Sequence, residues 1–192
     1  MLRLPRGSSM AEFRYETDRL LLRDWQDSDW EPFWQATNTP AVMEWLGGVC
    51  DDAKRSAAQQ RLLTYQQDHG HTFWAVERRD DGVILGFCGL KRSNQQGGPL
   101  GEMEVGWRLR EDAWGHGYAK EAAAAALDIA FKRFEVDQVI ALTVAPNSAS
   151  WGLMKRLGMT RREDLDFPNS DFGDDTIIVY SIAREAWRGL DA

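Results

Sequence analysis

The stretch from Glu102 to Phe134 constrains the chain most, because its apolar residues change from one secondary-structure period to another across a short glycine-containing loop. Residues 102–109 alternate, which places Glu102, Glu104 and Gly106 on one face of a strand and Met103, Val105 and Trp107 on the other. From about Gly117 to Phe134 the period becomes helical. Ala123, Leu127, Ala130, Phe131 and Phe134 form an apolar stripe, and the run Ala122 to Ala126 permits close approach to a sheet. Between the two, small residues at Gly115, Gly117 and Ala119 leave backbone amides exposed at a helix start. Orphan N–H groups and the positive end of the helix dipole make such a loop a site for a phosphate or pyrophosphate. A turn that merely reverses the chain is the plain alternative.

The rest of the chain supplies more elements of both kinds. Arg19–Arg23 reads as a short strand, and Asp27 or Ser28 then caps a helix running towards Thr37 before Pro40 breaks the pattern. Asp51 and Asp52 open a second helix in which Ala58, Leu62 and Tyr65 recur, closed by Gly70. Thr72–Arg78 and Val83–Leu90 are strands joined through the hairpin signal Asp80-Asp81-Gly82, and a flexible loop covers 93–101. Val139–Val144 is a strand, Asn147–Leu157 a short helix ended by Gly158, and Ile177–Ile182 a final strand. The expectation is a mixed α/β sandwich in one domain over residues 11–192, after a disordered leader over 1–10. Met10 is an alternative start.

Charge narrows the partners. Lys and Arg number 23 against 30 Asp and Glu, a net charge of −7, which argues against nucleic acid or an anionic membrane surface as partner. The longest uninterrupted apolar run, Ala122–Leu127, is far below the roughly 18 residues that span a bilayer. Cys50 and Cys88 form no CxxC or Cys/His cluster, so neither a disulfide framework nor a structural zinc site is indicated, and a cytoplasmic location is expected. The acids are concentrated in two base-free runs, 24–31 with four and 163–175 with six, and removing both leaves 20 acids against 23 bases.

Two blocks carry a resemblance. Glu104-Val105-Gly106-Trp107-Arg108-Leu109 followed by Trp114-Gly115-His116-Gly117-Tyr118-Ala119-Lys120-Glu121-Ala122, and then Val144–Met159 (VAPNSASWGLMKRLGM), resemble the GNAT superfamily of acetyl-CoA-dependent N-acetyltransferases, and within it the RimJ/RimL-type branch, in order and spacing. The resemblance implies an α/β (α+β) fold with a single mixed, mostly antiparallel sheet of about six to seven strands flanked by helices and a splayed central strand pair. It implies acetyl-CoA as cosubstrate, no metal, and an amine acceptor such as a protein N-terminal α-amine or a small-molecule amine. Gly115, His116, Gly117, Tyr118 and Ala119 would hold the pyrophosphate through backbone amides. Trp114 replaces the superfamily's Arg or Gln, leaving Lys120 as a side-chain helper. The N–H near Leu109, where the strand bulges, would contact the thioester oxygen, and Asn147 the pantetheine arm. Glu104 is the base, through a water, with Glu102 in reserve, and Ser150 protonates the leaving thiolate, because Met154 stands where many members place Tyr.

Each assignment has a plainer counterpart. Glu104 could pair with an arginine such as Arg108, Asn147 could be an ordinary N-cap, and Ser150 could simply fill a helical turn. His69 and His71 read as surface residues rather than metal ligands, since no third ligand is in sequence reach. Most of the nine tryptophans read as core, but Trp25, Trp30 and Trp34 interleave with the acids of 24–31, where a cationic acceptor would meet both π faces and carboxylates. A non-catalytic acyl-CoA-binding module is the second functional reading. A dinucleotide oxidoreductase is poorly supported because the third glycine of GxGxxG is missing. A homodimer through exposed strand edges or the aromatic face is the assembly considered.

Overall fold

The computed structural model describes residues 12–168 and 176–189; the leader expected over 1–10 lies outside them. In chain order the elements are β1 (Arg14–Glu16), β2 (Leu20–Arg23), α1 (Trp30–Thr37), α2 (Pro40–Met43), α3 (Asp52–His69), β3 (Phe73–Arg78), β4 (Ile84–Arg92), β5 (Met103–Leu109), α4 (Tyr118–Arg133), β6 (Gln138–Val144), α5 (Ser148–Arg156), β7 (Thr160–Arg161), β8 (Phe167–Pro168) and β9 (Thr176–Ala183). The strands form one sheet in the order β1-β2-β3-β4-β5-β6-β9-β7, with β8 also on β9. Every pairing is antiparallel except β5 with β6. The described residues thus hold nine strands rather than six or seven. The additional ones, β1, β7 and β8, are two or three residues long, too short to show an alternating pattern.

Local chemistry explains where the elements begin. Asp51 Oδ1 accepts the Lys54 N–H at 2.8 Å and starts α3, and Gly70 ends it in the left-handed conformation. Two expectations are corrected. Neither Asp27 nor Ser28 caps α1. Asp29 closes the preceding turn instead, accepting the Gln26 N–H at 2.8 Å while gripping the buried Arg23 guanidinium at 2.7 and 2.9 Å. Pro40 starts α2 rather than only breaking α1, because a first helical residue needs no N–H, and Thr39 caps it through Val42 N–H.

The sheet's two faces are covered differently. On one face α4 lies flat, with every residue from Ala122 to Phe131 buried, and packs with Leu153 and Met154 of α5 on Leu22, Val76, Leu90 and Val105. Alanines bring its backbone close to the strands, so the buried surface is wider than the predicted stripe. Its one buried acid, Asp128, is satisfied by Lys132 Nζ (2.8 Å) and Trp187 Nε1 (2.6 Å). On the other face, Trp25, Trp30, Phe33 and Trp34 pack with Ala58, Leu62 and Leu63 of α3 against β3 and β4. Further along, Phe167 covers Ile140 and Val179. Among the described residues no helix is long and apolar enough to cross a membrane.

The buried alanine run is tested by size. Ala123→Leu forces bulk between α4 and the sheet and is expected to cost about 1–3 kcal/mol, or roughly 2–4 °C of Tm per kcal/mol. Ala53→Leu, at an exposed position of α3, is the control, and thermal unfolding reads both.

Candidate functional site

β5 is paired with β4 along all seven residues, and β6 with β9 along all seven, but β5 and β6 pair only at Met103–Val139 and Glu104–Ile140. Beyond those two positions the strands part. The wedge holds a cleft of about 590 Å³, lined on one side by residues 104–109 and on the other by Leu142, Thr143 and Val144. Ladder alternation fixes which amides face it. Arg110 N–H donates to Leu85 C=O and Ser93 N–H to Glu102 C=O, both at 2.8 Å, so the even-numbered residues of β5 exchange bonds with β4. The N–H groups of Trp107 and Leu109 therefore turn towards the cleft. The Leu109 C=O is already taken by Trp114 Nε1 at 2.9 Å.

β5 carries no bulge, contrary to expectation: its register with β4 is unbroken. The irregularity lies one strand over, where β3 and β4 shift register between Val76 and Glu77. There Gly86 (φ 149°) meets β5 so closely that a Cβ would stand 2.0 Å from the Arg108 carbonyl oxygen.

Glu104 stands at the point of parting, lines the cleft and is only 7% exposed. Lys91 Nζ lies 3.3 Å from its Oε2 as an ion pair without hydrogen-bond geometry, so that oxygen is buried with no hydrogen-bond partner. Loss of hydration raises the carboxyl above its ordinary value, and Lys91 and Gln95 only partly oppose this. Glu104 does not pair with Arg108. Glu102 accepts from Gln138 Nε2 at 3.0 Å and is not part of the cleft lining.

At the cleft's other end, Gly115 and Gly117 adopt φ of 76° and 81°, which an L side chain resists, and Gly117 is the N-cap of α4. The N–H groups of Tyr118, Ala119 and Lys120 precede the first helical bond, Glu121 N–H to Gly117 C=O at 3.1 Å. These amides fit a pyrophosphate. The residue that sequence reasoning missed is Arg19, nearly a hundred positions earlier. Its Nη1 donates to His116 C=O at 2.9 Å, and its Nε to Glu121 Oε2 at 2.7 Å. Burial pulls the Glu121 carboxyl upward, but bonds from Thr17 Oγ1, the Arg19 amide and the Arg19 guanidinium outweigh it and hold it below the ordinary range. Arg19 thus braces the loop, while Lys120 is exposed. Gly115, Ala119 and Leu109 line the cleft directly; His116, Gly117 and Tyr118 build the loop's outer part.

Across the wedge, Asn147 caps α5 by accepting the Ser150 N–H at 3.3 Å, and both residues line the cleft. The cap uses only Oδ1 and leaves the side-chain NH2 free. Met154 is 1% exposed and belongs to the core. The structure corrects two aromatic expectations. His71 is buried, its Nδ1 3.0 Å from Leu90 C=O, and burial lowers its pKa. Trp25 and Trp30 stack on each other at 4.2 Å, and neither they nor Trp34 line the cleft. The aromatic cage there already holds a cation of the chain itself, Arg108, with its guanidinium carbon 4.7 Å from the Phe33 centroid and 5.1 Å from that of Trp34. Of the acidic runs, Asp29 pairs with Arg23, Asp164 with Arg162 and Asp166 with Arg161. Asp171, Asp174 and Asp175 lie outside the described residues. Among the described residues no group of three potential ligands could hold a metal.

Residues 19–160 match the Acetyltransferase (GNAT) domain family. The chain is 30% identical over 155 residues to the uncharacterized protein YkkB of Bacillus subtilis (strain 168), covering 78% of this chain and 86% of that one. Its fold superposes on the acetyltransferase of Agrobacterium tumefaciens str. C58 with a TM-score of 0.75 and 26% identity, over 94% of this chain and 98% of the other. The ribosomal-protein-S5-alanine acetyltransferase of Vibrio fischeri shares the fold at a TM-score of 0.73 and 18% identity, over 92% and 99%. The family match takes in the parted strands, the glycine loop and Asn147 together, so the chain belongs to the GNAT family and is an acetyl-CoA-dependent N-acetyltransferase.

Proposed function

We propose that the enzyme acetylates a primary amine by direct transfer, with Glu104 as general base acting through a water. One observation carries this reading: a carboxylate buried at the parting of β5 and β6, with its affinity for a proton raised by lost hydration. Acetyl-CoA, when bound, supplies the activated acetyl thioester. The chain's residues supply the rest. Glu104 draws a proton from the ammonium or the attacking amine. The N–H groups of Leu109 and Trp107 point where negative charge grows on the carbonyl oxygen, fixed in place beforehand by the β4 ladder. Asn147 holds the pantetheine arm, the Gly115–Ala119 amides hold the pyrophosphate, and Ser150 returns a proton to the thiolate. At pH 7 roughly a tenth of an N-terminal α-amine is neutral but fewer than one lysine side chain in a thousand, which favours α-amines as acceptors. The sequence from Glu104 to Ala122, with Trp at 114, supports a RimJ/RimL-type placement, and the fold likeness to the Vibrio fischeri enzyme is compatible with it.

Glu104→Gln is expected to lower kcat/KM by roughly a hundred- to ten-thousand-fold. In the wild type the acid limb of the pH–rate profile lies above the ordinary Glu range. In the variant that limb disappears and only the acceptor amine's own titration remains; a profile identical to wild type would remove Glu104 from the mechanism. Stability moves the other way. Folding raises this carboxyl's pKa, so its ionisation opposes folding; the penalty is absent below its ordinary value and complete above the raised one. Glu104→Gln therefore raises Tm at pH 8, with the gap closing as pH falls below about 4.

The glycine loop is tested separately. Gly117→Ala must place a Cβ at φ 81° and 3.4 Å from Arg19 Nη2, so the Kd for acetyl-CoA, read by calorimetry, is expected to rise about tenfold, equivalent to about 1.4 kcal/mol. Glu121 has a depressed pKa, and its contribution to stability is present above the ordinary carboxylate value and lost as pH falls through the depressed one. Glu121→Gln is thus expected to lower Tm at neutral pH and to converge with wild type in acid.

A further inference from the structure

Several arginines of this protein are matched to carboxylates, but Arg108, caged among aromatic rings, is not. Arg23, which is buried, is held by Asp29 and Glu77. Arg19, Arg78, Arg110, Arg161 and Arg162 pair with Glu121, Asp81, Asp112, Asp166 and Asp164. Arg108 lines the reaction cleft, and among the described residues no carboxylate lies within ion-pair distance of it. Its Nη1 donates to the weak acceptor Met43 Sδ at 3.1 Å, and its Nε is buried with no partner. The rings of Phe33, Trp34 and Phe87, at 4.7, 5.1 and 4.9 Å, clamp the guanidinium plane. Burial pushes its pKa down to about 10, so it remains a cation at neutral pH.

A charged fork without a carboxylate partner is costly to keep, and a guanidinium can meet an oxyanion through two parallel hydrogen bonds. It shares a strand face with Glu104, four residues away, a distance of roughly 13 Å along the strand. Gly106 lies between them, with the Phe73 ring over it as an apolar floor; a Cβ at 106 would meet that ring at 2.9 Å. The other acid in the cleft lining, Glu44, is exposed at its mouth. The cleft thus presents a proton acceptor at one end and an unbalanced cation at the other. The faces of Phe33, Trp34 and Phe87 are already taken by the Arg108 guanidinium.

We propose that the acceptor is a small amine that also carries an oxyanion, a carboxylate or a phosphonate, which docks on the Arg108 guanidinium and so directs the amine towards Glu104. This inference rests on the transfer reading above and names its substrate class. Lysine cannot replace Arg108, since a point charge lacks the planar fork.

The test separates docking from chemistry. Calorimetry on the CoA-bound enzyme compares N-acetylated amino acids with their primary amides and with N-acetylated aminophosphonates, and thiol release compares the corresponding free amines with acetyl-CoA. The expected result is at least tenfold tighter binding, and at least tenfold higher kcat/KM, for the acid or the phosphonate over the amide. The preference between carboxylate and phosphonate identifies the group. Arg108→Met erases the preference through KM and Arg108→Lys reduces it, with acetyl-CoA binding and Tm reporting intact folding. If Arg108→Met fails to fold, Arg108→Lys decides alone. Equal binding of amides and acids, or a preference that survives both substitutions, overturns the anion site while leaving transfer intact. Selective binding of the acids without thiol release from any of these amines would instead sustain the anion site and overturn the transfer reading of the cleft.

Discussion

The interaction on which the site depends is one that stops. β5 and β6 are paired at Met103 and Glu104 and then separate, each held by a full ladder on its other side. A parallel pair that ends in mid-sheet leaves amides turned into open space, and buried amides are tolerated only where something satisfies them. In the proposed mechanism that something is the bound acetyl-CoA. The same parting sets Glu104 where protein surrounds it yet a small molecule can reach it, and opens the floor between the helix-start amides of α4 and the Asn147 cap of α5.

Two groups in this cleft sit at odds with ordinary protein stability. Glu104 loses hydration for one imperfect ion pair, and Arg108 loses it for three aromatic rings and a sulfur. The buried Arg23, by contrast, is matched by Asp29 and Glu77. Local strain of this kind concentrates where function needs it. It places opposite electrostatic demands at the two ends of one strand face, which suits a molecule bearing both a basic nitrogen and an anion.

Much of the site was legible in the order of residues. The change of period around Trp114–Ala119 located the helix start, and glycines at 115 and 117 needed their positive φ. Asp51, Gly70, Gly82 and Asn147 marked element ends through local chemistry that acts within three or four residues. What escaped was non-local. Arg19 reaches His116 and Glu121 across the sheet, Lys91 reaches Glu104 through the β4–β5 register, and Arg108 enters a cage built by α1 and β4. None of these pairs has a sequence spacing that announces it. Trp25, Trp30 and Trp34 looked available for an acceptor because their interleaving with acids is visible, while their burial is not.

The sequence alone therefore determined the periods, the caps at Asp51 and Asn147, and the glycine loop at the start of α4, because these follow from backbone sterics and short-range hydrogen bonds. Only the tertiary structure decided where β5 leaves β6, which carboxylate loses its water, and which arginine is caged by aromatic rings instead of a carboxylate. Those outcomes depend on register and burial, set by contacts between residues tens of positions apart, and a charge's chemistry depends on how much water and counter-charge the whole fold leaves around it.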